Sequence, residues 1–188
     1  MKKIIILATA FTACFFNFQL YGKDRMATGI RKGSSHGNLI YGSETVRKVQ
    51  NNGFVALNGT TVTERLQVNG RLKAEGAQIT AMQVNGQTTL DKCSVSQKST
   101  ICGSLIAKLS QFSDTLSVSS EKVMFNSCTL NDLHIIQVGG YQGTQVIELR
   151  GKTKVNGSIT FEAGNGEVII DPGCEIVGSV IGGKIRKQ

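Results

Sequence analysis

The residue types in this chain that can do chemistry are five cysteines, two histidines, a scatter of carboxylates, and 21 lysines and arginines against 13 acids. Cys14 closes Phe11-Thr12-Ala13-Cys14, which has the outline of a lipobox whose cysteine would be acylated. Cys93, Cys102, Cys128 and Cys174 form no Cys-x-x-Cys pair, and with so few histidines they make no zinc-binding pattern. In an oxidising compartment three complete disulfide pairings are open to these four. Cys93 and Cys128, however, fall at matching positions of a repeat set out below, in a column that reads Ala77, Cys93, Ser110, Cys128. Two stacked layers would hold them about 9.6 Å apart, beyond the roughly 7 Å between Cα atoms that a disulfide spans. They read as small buried side chains.

His36 stands in a Gly/Ser/Asn-rich stretch and His134 in the apolar run Leu133-His134-Ile135-Ile136. Glu148, Glu162, Glu167, Asp171 and Glu175 are dispersed, whereas acid–base or glycosidic chemistry needs carboxylates paired across a bond. No catalytic, metal or cofactor site emerges from these residues. The expectation is a protein that is not an enzyme, with no cofactor and no small-molecule substrate.

The ends suggest an address. Lys2 and Lys3 precede an apolar run, 4–16, that is long enough for a signal peptide and shorter than the roughly 20 residues that span a bilayer. Residues 1–22 are therefore read as a signal peptide cut after Gly22, with lipidation at Cys14 or a retained tail as alternatives. The remaining cationic excess gathers at Lys23, Arg25, Arg31, Lys32, Arg47 and Lys48 and again at Lys184, Arg186 and Lys187. Such ends suit anionic envelope lipid or polysaccharide. With 3 tyrosines and no tryptophan there is no stacking platform for nucleic acid. The expected location is exported: periplasmic, outer-membrane-associated or secreted. Residues 23–50, rich in Gly, Ser and Asn, read as a flexible basic segment, and 51–188 as the folded domain.

The domain is repetitive. Val-Asn-Gly occurs at Val68, Val84 and Val155, and aliphatic-x-Gly recurs at Leu57, Ile101 and Val138. Read from Val68 through Val84, Ile101, Val118, Val138, Val155 and Val177, the steps run from 16 to 22 residues, too short for paired-helix repeats. Asn-Gly is also a hairpin signal, but a turn at Asn69-Gly70 would pair Val68 with Arg71 and Leu66 with Lys73 on one face. If the chain instead runs straight through the motif, Val68, Gly70, Leu72 and Ala74 share one face while Asn69, Arg71 and Lys73 share the other. The same phase runs through Val84, Gly86, Thr88 and Leu90, through Ile101, Gly103, Leu105, Ala107 and Leu109, and through Val155, Gly157, Ile159 and Phe161.

Straight strands at this spacing, without crossover helices between them, predict an all-β fold: a single-stranded parallel β-helix, right-handed, of about six to eight coils. An antiparallel β-sandwich is the alternative. Leu105, Leu109, Phe112 and Leu116 also recur at helical spacing, which leaves open a short helix or one irregular coil with Phe112 turned inward.

Through Val68-Asn69-Gly70-Arg71-Leu72, Val155-Asn156-Gly157-Ser158-Ile159 and Ile176-Val177-Gly178-Ser179-Val180, residues 57–185 resemble the bactofilins and related small polymer-forming β-helical proteins. That resemblance implies a non-catalytic solenoid that forms filaments by end-to-end stacking. Bactofilins are cytoplasmic, so a secretory signal departs from the family and puts a cytoskeletal role in doubt. The function expected is an exported structural solenoid of a bacterial cell envelope that forms homo-oligomers or polymers. Val177, Val180, Ile181 and Ile185 would supply its association edge. A glycan-binding or adhesin-like surface module is the alternative.

Overall fold

The chain climbs in three-sided coils, and each side hydrogen-bonds to the same side of the coil before and after. The computed structural model describes residues 36–188, so the expected signal segment 1–22, Cys14 and residues 23–35 lie outside the described residues. The 20 described strands form one parallel β-solenoid of about nine turns, with no helix among the described residues. Pairing is parallel throughout, for example Val68 to Val84, Val84 to Ile101 and Ile101 to Val118. The antiparallel sandwich is thereby set aside, and so is the helix: Leu105–Lys108, Gln111–Phe112 and Leu116–Ser119 are strands on three successive sides.

Side one holds Leu105–Lys108, Lys122–Asn126, Val146–Arg150, Gly166–Ile170 and Gly183–Lys187. Side two holds Ser94–Val95, Gln111–Phe112, Thr129–Leu130, Lys154–Val155 and Glu175–Ile176. Side three holds Ser99–Cys102, Leu116–Ser119, Leu133–Ile135, Ile159–Phe161 and Val180–Ile181. In the first coils the strands Thr45–Asn58, Thr61–Glu75 and Met82–Asp91 pass from side three to side one without a break in pairing.

That passage explains the Val-Asn-Gly motif. Val68 and Val84 point into the core, and Asn52, Asn69 and Asn85 stack at the edge, where the Asn69 amide donates to Asn52 at 2.9 Å. The glycine then turns the corner at a φ of 140° for Gly70 and 139° for Gly86. A Cβ on either would collide with the carbonyl oxygen of the glycine one coil earlier, so close backbone approach as well as φ demands Gly here. The chain therefore does continue through the motif as strand, but bent rather than straight.

Inward residues form one continuous core. On side one, Leu72, Thr88, Leu105, Val123, Ile147 and Val168 make one buried column, and Ala74, Leu90, Ala107, Phe125 and Leu149 the next. Small and large side chains alternate in the second column as far as Phe125, so each of those coils receives the bulk of its neighbour. Burying each aliphatic or aromatic side chain contributes about 1.5–3 kcal/mol.

Three expectations change. Residues 36–50 are not loose: His36–Tyr41 pairs with the far end of Thr45–Asn58, so the stack begins at His36 rather than Asn51 and gains turns over the six to eight expected. Leu109 is not a core residue; it turns the corner between sides one and two at φ 48° and is 56% exposed. Lastly, Val138, Val155 and Val177 do not continue the Val68 column. After Val118 that column runs to Ile135 and Phe161, because residues 136–145 leave the coil as a loop. The displaced phase puts Val155 on side two, stacked between Leu130 and Ile176. Gln145 holds the base of the loop by donating to the carbonyls of Ser120 and Ile136, both at 2.9 Å.

Candidate functional site

Among the described residues no disulfide joins Cys93, Cys102, Cys128 or Cys174. Three sit in one inward column, in register as Thr60, Ala77, Cys93, Ser110, Cys128, Thr153 and Cys174. Each sulfur there is separated from the next by a hydroxyl-bearing rung. These side chains serve the corner that precedes them. The Ser110 and Thr153 hydroxyls donate at 2.7 Å to the carbonyls of Lys108 and Arg150, and the Cys93 and Cys128 thiols donate to Asp91 and Asn126. Burial pushes both of these thiols above their ordinary pKa, which keeps the proton they donate in place. Cys102 stands apart, at the glycine corner beside Asn85.

Of the carboxylates that the sequence scatters, Glu148, Glu167 and Glu175 each face a cation. Glu148 lies buried on side one, 2.6 Å from Lys122 Nζ and 2.7 Å from Arg150. Glu167 meets Arg186 at 3.2 Å, and Glu175 meets Lys154 at 3.1 Å. His134 points outward on side three between Ser117 and Thr160, with its Nε2 3.3 Å from Glu162. No group of three metal-ligating side chains occurs among the described residues.

The Glu148 carboxyl is held below the usual carboxylate range, first by the hydrogen bond from Lys122 and then, against the opposing effect of burial, by the charges of Lys122 and Arg150. A depressed folded pKa means the stabilisation is present above the unfolded carboxylate range and disappears as pH falls through the folded value. Glu148→Gln is expected to cost about 1–2 kcal/mol at neutral pH, discounted for the exposure of both cations. Urea unfolding of both proteins along a descending pH series checks this: the gap should close in acid.

At the last coil the four expected edge residues divide. Val180 and Ile185 occupy core positions, stacked on Ile159 and Val168, both fully buried, yet Ile185 is 49% exposed. With Ile176, stacked on Val155, they form an apolar end with nothing described beneath it. Val177 and Ile181 point outward and flank that end at 57% and 53% exposure. Among the described residues Gly183–Lys187 pairs only with Gly166–Ile170, so its far edge has no described partner. Lys187 sits over Ile170 at an inward register and puts a charge on the rim.

Sequence reasoning missed side two. Thr61, Gln78, Ser94, Gln111 and Thr129 stack in register as one outward rank, and Thr63, Thr80, Ser96, Ser113 and Asn131 form a second rank two positions on. Neither rank carries a charge until Lys154. Between them, over Val62 and Ile79, runs a shallow trough of about 350 Å3 lined by Thr61, Thr63, Gln78, Thr80, Ser94 and Ser96. The signal was legible: Val62, Ile79, Val95, Phe112 and Leu130 are each flanked on both sides by uncharged polar residues.

Comparison with protein-family profiles, with curated proteins and with solved structures found no match to this chain.

Proposed function

We propose that the protein is a non-enzymatic, exported structural solenoid of a bacterial cell envelope that associates end to end through its C-terminal coil. The observation that carries this reading is the exposure of Ile185 at a register where the preceding residue, Val168, is fully buried. A further layer set against this end would bury Ile176, Val180 and Ile185 and engage the free edge of Gly183–Lys187, because an unpaired strand edge is a template for another chain. The bactofilin-like pattern supports the same mode of assembly, and the basic N-terminal residues favour contact with anionic lipid or polysaccharide of the envelope.

Sedimentation of the purified chain over a range of concentrations tests it. The wild type should sediment as oligomers or polymers, and Val180→Lys and Ile185→Lys should each weaken association at least about tenfold by placing a charge in the buried layer. Ile181→Lys, on the flank, should change association far less. Unaltered sedimentation of both inward variants would overturn the proposal.

A further inference from the structure

Side two has chemistry suited to a ligand, and it is independent of the C-terminal end. From Thr61 to Thr129 the first rank presents one uncharged hydroxyl or amide per coil, five in register, spaced by about 4.8 Å and so covering about 19 Å. In the second rank the Thr80 hydroxyl donates to Thr63 O at 3.0 Å and the Ser96 hydroxyl to Thr80 O at 3.4 Å. Those oxygens are thereby left as fixed acceptors, whereas the first-rank hydroxyls and amides are available both to donate and to accept. The trough between the ranks is about two residues wide along the strand, or roughly 7 Å.

A ligand for this lattice must be uncharged, because no counter-charge awaits it. It must also carry groups that both donate and accept, and it must repeat. We propose that side two binds an extended neutral polysaccharide, a β-linked glycan laid along the trough with its rings spanning the two ranks. Such a chain advances one sugar over a distance close to one strand spacing, so successive sugars meet successive coils. Polyanionic glycans are excluded from this face by the lack of cations between Thr61 and Asn131 in either rank.

The test uses the full chain in gels containing hydroxyethyl cellulose, a neutral β-glucan, or polygalacturonate, a polyanion. It adds titration with β-linked glucose oligomers of increasing length. Retardation by the neutral polymer is expected, with affinity rising as the oligomer lengthens to about five sugars and then levelling. Gln78→Ala combined with Gln111→Ala, both outward and outside the core, should weaken binding roughly tenfold, the loss of one or two net hydrogen bonds. Ser94→Arg, which fills the trough, should abolish it. The proposal falls if the neutral polymer does not retard the protein, if only the polyanion does, or if either variant binds as the wild type does. It also falls if the variants change sedimentation rather than retardation, for then a second copy of the chain covers this face. Ile185→Lys should bind glycan unchanged, so loss of end association leaves this result readable.

Discussion

Gly86→Ala is expected to lower the free energy of unfolding by about 4 kcal/mol, made of about 1–3 for a non-glycine residue held at this φ and about 1–3 for overpacking. The φ is 139°, and the new methyl would strike the carbonyl of Gly70. Neither partner can yield cheaply, because Gly70 and Gly86 are paired in a ladder that continues to Gly53 on one side and to Gly103 beyond. Gly164→Ala is the control: its φ is also positive, at 71°, but a Cβ there meets open space, and about 1 kcal/mol is expected. Guanidinium unfolding of the two variants measures the difference. Equal losses would mean that backbone stacking does not shape this corner. Since each coil contacts only its neighbours, amide exchange in the coils on either side of Gly86 should quicken before the rest of the stack responds.

Phe125→Ala should cost about 3–5 kcal/mol. Phe125 is the largest fully buried side chain; it sits under Ala107 and above Leu149 and meets Phe112 edge to face at 6.0 Å and 84°. Ala107 is too small to fill the space Phe125 would vacate, and the hydrogen-bonded coils cannot close up on it. Phe125→Leu should keep most of the stability. A double-mutant cycle with Phe112→Leu should return a coupling of about 0.5–1.5 kcal/mol. A cost for Phe125→Ala below that of an ordinary surface change would place the ring outside the core.

The repeat was legible where the coil length was constant. From Val68 to Val118 the steps match the strand pairing, because a coil of 16 or 17 residues returns every side chain to its column. It became illegible at the loop 136–145, after which the third Val-Asn-Gly reappears at a different corner and composition alone gives no means of recovering the phase. Leu109 misled because the corner residue of its coil is set by backbone geometry, and Gly59, Gly76, Lys92 and Ser127 hold the same left-handed turn with quite different side chains. The first coil was hidden because Gly37 lies in a Gly/Ser/Asn-rich stretch that reads as a flexible segment, although Gly37 opens the glycine ladder and the Asn51 amide donates to its carbonyl at 2.8 Å. Of the expected edge, the apolar character of Val180 and Ile185 was evident, but which residues face the end and which face sideways required the register of the last coil.

The alternation of thiol and hydroxyl along the second corner has a consequence for where such a chain can mature. Cys93, Cys128 and Cys174 each lie two layers from the nearest sulfur of the column, so the column offers none of them a bond to another of its members. Within this column oxidase, isomerase and glutathione alike find no pair to join or to cut, so it can be built unaltered in an oxidising or a reducing compartment.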